Sequence, residues 1–266
     1  MAEGVSVRGA RLALQSEGSG PHFLWAHGLS SSRAQEDKSG LFDWSSLAGA
    51  LRLVRYDARG HGHSEATPDP EDYRWDALAG DMLAVADALG VASFVAGGAS
   101  MGAATALHAA VAEPARVEAL VVVIPPTAWE TRAAQGDLYR AGADLVERHG
   151  RQALLDASAQ APAPAIFAGH PELTRFDPDI EESAMPTVLR GAARSDLPPP
   201  EALRTLTQPA LVLAWETDPA HPVSTAEALG NLLPGAEVQV AGTFEEVQAW
   251  PQKVRAFVTG LPVERP

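Results

Sequence analysis

Phe94-Val95-Ala96-Gly97-Gly98-Ala99-Ser100-Met101-Gly102-Ala103-Ala104-Thr105-Ala106-Leu107 is the stretch that decides the fold. Phe94–Ala96 is a compact apolar run of strand character that drives straight into glycines. From Ser100 to Val111 the chain is rich in alanine and strongly helix-prone, and it stops before Pro114. Gly98-Ala99-Ser100-Met101-Gly102 therefore has the pattern G-x-S-x-G between a strand and a helix. A turn that sharp needs glycines, because side chains would collide. It lifts the Ser100 hydroxyl to the carboxyl edge of a sheet, at a helix N-terminus, where negative charge is favoured.

Working outward, the same alternation recurs. Upstream, Val5–Val7 and Leu12–Leu14 read as two short strands around the turn Arg8-Gly9-Ala10. Phe23–Ala26 is a buried strand that stops at His27-Gly28, and Leu53–Tyr56 is another that stops at Asp57. Trp75, Leu78, Met82, Val85, Ala86 and Leu89 fall at the spacing of a helix packed on a sheet, closed by Gly90. Downstream, Leu120–Ile124 is a fully apolar strand halted by Pro125-Pro126, and Ala210–Ala214 and Glu237–Val240 are later ones. A helix near Thr225–Leu233 lies between these two, and a last helix ends near Thr259. Fully apolar runs fit strands covered by helices on both faces, so the expectation is an α/β protein with a mostly parallel central sheet. Thr127 to Pro200 breaks the pattern, with helix-like stretches at Ala133–His149 and Arg151–Ser158, Pro/Ala-rich joints and no strand. The expected division is a core of residues 1–126 and 201–266 with a helical insertion at 127–200.

Bulk properties narrow the function. At 266 residues the chain is long enough for one sizeable core. Its net charge of −14 argues against nucleic acid or an anionic membrane as the main partner. It has no cysteine, which excludes disulfides, thiolate metal sites and a cysteine nucleophile. No apolar run approaches the ~20 residues that span a bilayer, and the first twenty residues hold no apolar leader core, so a cytoplasmic location is the expectation. There is no P-loop and no G-x-G-x-x-G after the first strand. His61 and His63 have no accompanying ligand cluster, so neither a cofactor nor a metal is expected.

Two further segments accompany the serine turn at the expected places: His27-Gly28-Leu29 directly after the preceding strand, and Asp57-Ala58-Arg59-Gly60-His61-Gly62-His63-Ser64. Together the three resemble the α/β-hydrolase superfamily, in particular its enol-lactonase, haloperoxidase and C–C-hydrolase-like branch. The resemblance covers nearly the whole chain and implies that 127–200 is a cap that shapes substrate choice. It implies Ser100 as nucleophile, the backbone N–H groups of Leu29 and Met101 as an oxyanion hole, and a structural role for His27. It places the acid at Asp218, after the strand ending at Ala214, with Glu130 as a fallback. Trp129, at the start of the cap, is a candidate substrate contact or an ordinary hinge residue.

The base departs from the pattern. The resemblance places a histidine after the last strand, and Thr243 stands there, in Val240-Ala241-Gly242-Thr243-Phe244. No histidine follows His221. Among the others, His22 opens a strand far from the catalytic edge, and His108 lies two turns into the helix behind Ser100. His61 and His63 are expected at the surface, and His149 and His170 lie in the cap. His221, in Asp218-Pro219-Ala220-His221-Pro222, is the candidate for a relocated base, although three residues in one loop is awkward spacing for an Asp–His bond. The expected function is a serine-dependent hydrolase of a small ester, lactone or related carbonyl substrate with an atypical triad. Two other readings stay open: a non-hydrolytic lyase, isomerase or cyclase using the oxyanion hole, or a catalytically impaired binding protein. Substrate identity and oligomeric state are not legible.

Overall fold

A computed structural model describes residues 3–174 and 176–261. Eight strands form one sheet: β1 (Glu3–Val7), β2 (Ala10–Glu17), β3 (His22–Ala26), β4 (Arg52–Tyr56), β5 (Phe94–Ala99), β6 (Val117–Val123), β7 (Ala210–Trp215) and β8 (Ala236–Ala241). Their spatial order is β1-β2-β4-β3-β5-β6-β7-β8. β1 and β2 pair antiparallel, β2 meets β4 antiparallel, and every pairing from β4 to β8 is parallel. The expected mostly parallel α/β architecture is the one observed.

The helices are α1 (Arg33–Ser39), α2 (Trp44–Ala48), α3 (Trp75–Ala88), α4 (Met101–Ala112), α5 (Arg132–Ser158), α6 (Pro171–Thr174), α7 (Met185–Ala192), α8 (Pro200–Leu203), α9 (Val223–Leu232), α10 (Phe244–Gln248) and α11 (Trp250–Thr259). Alternate residues of the central strands face opposite sides, so each strand feeds two cores. Leu24, Val54, Ala96, Leu120, Val122 and Val212 pack with residues of α3, α4 and α9. Phe23, Leu53, Val95, Val121, Leu211 and Leu213 pack with residues of α2 and α11. Each fully buried aliphatic side chain contributes about 1.5–3 kcal/mol, which explains why these runs are apolar without interruption.

Several elements differ from the sequence reading. β1 and β2 form a longer ribbon than the two short apolar cores suggested, because their edges are polar. α1 and α2, between β3 and β4, have no apolar periodicity to announce them. They begin at side-chain caps, where Ser32 Oγ accepts from the Gln35 N–H and Asp43 from the amides of Ser45 and Ser46. Between β6 and β7 the described residues form helices and no strand. The two expected helical stretches there are joined at Gly150, whose φ of 77° breaks α5 in two. No described helix is long and apolar enough to cross a membrane.

Candidate active site

Ser100 sits between β5 and α4 with φ 53° and ψ −112°, a conformation rare for a residue with a side chain. Holding it costs about 1–3 kcal/mol, which the surrounding packing must offset. Its flanking glycines show how. A Cβ on Gly98 would lie 2.6 Å from the Ala26 carbonyl oxygen and would press on the backbone of Gly102, and a Cβ on Gly102 would run into the same Ala26 carbonyl. Strand β3, strand β5 and helix α4 therefore meet backbone to backbone under the serine. The Ser100 N–H donates to Val123 O (3.0 Å) and fixes the turn to β6.

The Asp57 segment buttresses this arrangement from the next strand end. Asp57 accepts from the Arg33 amide (2.9 Å), the Arg33 guanidinium (3.0 and 3.1 Å) and the His63 amide (3.1 Å). Arg59 forms a buried two-point pair with Asp81 (2.8 and 3.0 Å). His27 is buried, with Nε2 accepting from the Ala58 N–H at 2.9 Å, so it ties the β3 end to the β4 end. Burial holds its pKa below the ordinary histidine value, which keeps that nitrogen an acceptor. His61 is not at the surface as expected. It is buried beside His27, ring centroids 5.1 Å apart, and burial together with the His27 ring pushes its pKa down to about 3. Gly60 and Gly62, both at positive φ, turn the loop inward and carry His61 under the β3–β4 junction. His63 is exposed.

His221 and Asp218 lie on the loop between β7 and α9. His221 Nε2 is 2.8 Å from Ser100 Oγ, and His221 Nδ1 is 2.8 Å from Asp218 Oδ2. Asp218 Oδ2 also accepts from the Trp215 indole N–H (3.0 Å), and Oδ1 from the Ala220 amide (2.9 Å). Burial alone would raise the Asp218 carboxyl. The hydrogen bond and charge of His221, with the Trp215 and Ala220 donors, outweigh it and hold the pKa at about 2. Asp218 is thus ionised and can only accept. The His221 Nδ1 then carries the proton, and Nε2 is left to accept from the Ser100 hydroxyl. The loop is anchored on three sides: the Thr127 amide donates to Ala220 O (3.0 Å), the Ile166 amide to Thr217 Oγ1 (3.3 Å), and the Glu216 amide to Ala241 O (3.1 Å).

The remaining candidates separate clearly. Leu29 and Ser100 line one cavity, Met101 is the first residue of α4, and among the described residues neither the Leu29 nor the Met101 amide meets a protein acceptor. Thr243, where a histidine was expected, is the N-cap of α10: its Oγ1 accepts from the Glu246 N–H (3.3 Å), and Glu246 Oε2 accepts from the amides of Gly242 (2.7 Å) and Thr243 (3.3 Å). Glu130 is exposed, and the ring nitrogens of His221 are engaged by Ser100 and Asp218 instead. Trp129 is not among the residues that line this cavity; its amide donates to Asp196 and its indole N–H to Pro198 O (3.1 Å), contacts that fit the hinge role of the two expected for it. His108 Nε2–H donates to Asp196 O (2.9 Å), as a packed side chain would, and the His170 ring lies tilted against Phe244 at 3.8 Å.

The cavity at Ser100 and His221 has a volume of about 290 Å³. Its walls are largely aromatic: Trp25, Phe42, Trp44, Trp215 and Trp250. Trp25 meets Trp44 edge to face at 5.1 Å, Phe42 stacks on Trp44 at 4.9 Å, and Trp215 stacks on Trp250 at 5.6 Å. Glu36, on α1, is among its polar lining residues, with Ser31, Gln35 and Ser39. Neither this wall nor Glu36 was apparent in the sequence, because the residues come from β3, α1, the α1–α2 link, α2, β7 and α11, and no single stretch displays them together.

A family model described as alpha/beta hydrolase fold matches residues 21–145. The chain is 28% identical over 220 residues to 3-oxoadipate enol-lactonase 2 of Acinetobacter baylyi, covering 77% of this chain and 78% of that protein. It is 32% identical over 117 residues to epoxide hydrolase 2 of Siraitia grosvenorii, a match that spans 44% of this chain and 36% of the relative. Among solved structures, an enol-lactonase from Burkholderia xenovorans superposes with a TM-score of 0.81 at 22% identity, covering 97% of this chain and 100% of the other. At these identities the structural likeness speaks for the fold. With an eight-stranded sheet in this order, a serine on a strained strand-to-helix turn and a family model matched over residues 21–145, the chain has the α/β-hydrolase fold.

Proposed function

We propose that the protein is a serine hydrolase acting on a small ester or lactone, with Ser100, His221 and Asp218 as its triad. The observation that carries this reading is the continuous chain Ser100 Oγ–His221 Nε2 and His221 Nδ1–Asp218 Oδ2, each link 2.8 Å. In the first half-reaction the Ser100 oxygen attacks the acyl carbon while its proton passes to His221 Nε2. Negative charge develops on the carbonyl oxygen, which takes hydrogen bonds from the Leu29 and Met101 amides. The carbon–oxygen bond to the leaving group then breaks, and the alcohol oxygen takes the proton from His221. In the second half-reaction water gives its proton to His221, attacks the acyl-Ser100 and releases the acid, and Ser100 recovers its proton. A lactone follows the same course, its leaving alcohol remaining part of the acyl chain.

The names borne by the relatives, enol-lactonase, esterase and epoxide hydrolase, all describe hydrolysis of small molecules, which supports the class. The helical segment 127–200, inserted between β6 and β7, is the proposed cap over a core of residues 1–126 and 201–266. The binding-only reading gives no reason for an imidazole held against the serine, and the hydrolytic reading is favoured over a lyase or isomerase by the names of the relatives. The test is labelling with a fluorophosphonate probe together with turnover of p-nitrophenyl esters and simple lactones. Rapid labelling at Ser100, with ester or lactone turnover abolished by Ser100→Ala, is the expected result. A native protein that neither labels nor turns over these substrates would overturn the reading.

A further inference from the structure

The cavity at Ser100 contains a second carboxyl group for which the proposed chemistry has no use. Glu36 lies on the short helix α1, directly after the β3 loop. Its Oε1 accepts from the Trp25 indole N–H at 2.9 Å. Its Oε2 is shielded from solvent and has no hydrogen-bond partner among the described residues. The residue as a whole is half-buried and lines the cavity together with Trp25, Phe42 and Trp44. A buried polar atom left without a partner costs about 1–3 kcal/mol, so a ligand atom that partnered this oxygen would recover part of that cost.

The charged groups around Glu36 are already committed. Arg55 is held by Asp37 (2.7 Å) and lies over the Trp44 ring. Arg33 is held by Asp57. No cation of the described residues pairs with Glu36. Burial therefore dominates and raises the carboxyl to about 8, against the pull of the Trp25 hydrogen bond and of Arg55, with the charges of Asp37 and Asp57 adding to the rise. At neutral pH the group is a neutral acid, with Oε1 accepting from Trp25 and Oε2 carrying the proton.

We propose that Glu36 is a specificity-determining residue of the cavity, whose Oε2 donates a hydrogen bond to a neutral oxygen acceptor, a keto or amide carbonyl, in the part of the substrate held between Trp25, Phe42 and Trp44. This rests on the proposed hydrolase reading for the placement of the scissile carbonyl at Ser100. It adds that the preferred acyl chain is not a plain alkyl chain. It carries a second carbonyl group some carbons from the first. A carboxylate there would enter a largely apolar cavity whose lining residues include no arginine or lysine, the nearby Arg33 and Arg55 being paired with Asp57 and Asp37, and an ammonium group would need Glu36 ionised. Both are disfavoured relative to a neutral carbonyl.

The test compares p-nitrophenyl 5-oxohexanoate with p-nitrophenyl hexanoate at pH 7 in the native protein, Glu36→Leu and Glu36→Gln. The expected native preference in kcat/KM is about tenfold for the oxo ester, the discrimination of one buried hydrogen bond. In Glu36→Leu the ratio of the two kcat/KM values falls to about one. In Glu36→Gln, which keeps a neutral donor, most of the preference survives. Above about pH 8 the native preference declines as Glu36 ionises, and that of Glu36→Gln does not. An unchanged ratio in Glu36→Leu overturns the proposal. Binding of the corresponding N-methyl amides, followed by tryptophan fluorescence, makes the same comparison without turnover. If the protein binds the oxo amide preferentially but hydrolyses neither ester, the hydrolase reading fails and Glu36 stands; equal binding of the two amides removes Glu36.

Discussion

His221 and Asp218 are three residues apart in one loop, and their side chains meet at 2.8 Å. The spacing that looked awkward in sequence is resolved by a tight turn. The His221 amide donates to Asp218 O (3.2 Å), and the Ala220 amide donates to Asp218 Oδ1 (2.9 Å). Asp218 thereby caps its own turn, as aspartates before proline commonly do. The turn brings positions i and i+3 to the same side, and the carboxylate's other oxygen is left facing the imidazole. The proposed acid and base thus arrive as one unit on the β7 end, anchored by Trp215 beneath. The β8 end is free to serve as a helix cap.

If His221 is the base, removing it disables acylation. His221→Ala is expected to lower kcat for an activated ester by about 10⁴- to 10⁶-fold, the range set by loss of the histidine in serine proteases. Fluorophosphonate labelling of Ser100 should slow in parallel, while thermal unfolding changes little because the ring is partly exposed. Labelling at the native rate in this variant would remove His221 from the mechanism.

Asp218→Asn separates orientation from charge. The amide keeps the size of the carboxyl but accepts from the imidazole less well and admits the wrong tautomer, and about a 10⁴-fold loss in kcat is expected. Stability should respond with a definite sign. The folded carboxyl titrates at about 2, below its ordinary value of 3.8. Its contribution is therefore complete above about pH 4 and is lost as pH falls toward 2. The Tm difference between native protein and Asp218→Asn should be largest near neutrality and shrink at acid pH. A difference that stays constant from pH 7 down to pH 2.5 would contradict the assigned charge state.

The fold was largely legible because its strong signals are local. Apolar runs ending at Ala26, Tyr56, Ala96 and Ala214 announce buried parallel strands, and Gly98 and Gly102 are required by backbone contacts that only glycine permits. The candidate Ser100 could be named because it follows β5 directly, and Asp218 and His221 because they lie on the loop after β7, where the resemblance places the acid. What the sequence concealed is produced by tertiary contact. His61 looks like a surface residue in a Gly-His-Gly-His string, and it is buried because two positive-φ glycines turn it inward. Trp129 reads equally as a substrate contact or a hinge residue, and the contacts that fit the hinge come from Asp196 and Pro198, more than sixty residues away. Glu36 sits in the polar-looking text Ala34-Gln35-Glu36-Asp37-Lys38, and its partner Trp25 belongs to the preceding strand.

Thr243 gives a test of what replaced the expected histidine. Its hydroxyl and Glu246 cap α10 reciprocally. Thr243→Ala should cost about 1 kcal/mol of stability and leave ester turnover within about twofold of native. A loss of turnover comparable to that of His221→Ala would show that Thr243 acts in the chemistry and not as a cap.

The junction under Ser100 should be the least tolerant place in the chain. A methyl group on Gly102 points into the Ala26 carbonyl, an atom of the central strand β3 that cannot yield without moving the His27-Gly28-Leu29 segment that follows it. Neither side is a flexible side chain, so relaxation has to separate α4 from β3. Overpacking of this kind costs about 1–3 kcal/mol or more, and for a chain of this size each kcal/mol lowers Tm by about 2–4 °C. Because Leu29 lies three residues beyond Ala26, the same displacement moves a proposed oxyanion donor relative to Ser100. Gly102→Ala should therefore lose kcat in the fraction that remains folded, well beyond its loss of stability. Gly169→Ala is the matched control: Gly169 is exposed, a Cβ there meets nothing within 4 Å, and its backbone is not at positive φ. Tm and kcat for Gly169→Ala should match the native protein. A Gly102→Ala variant with native Tm and native turnover would mean that the close approach of α4 to β3 does not position the serine.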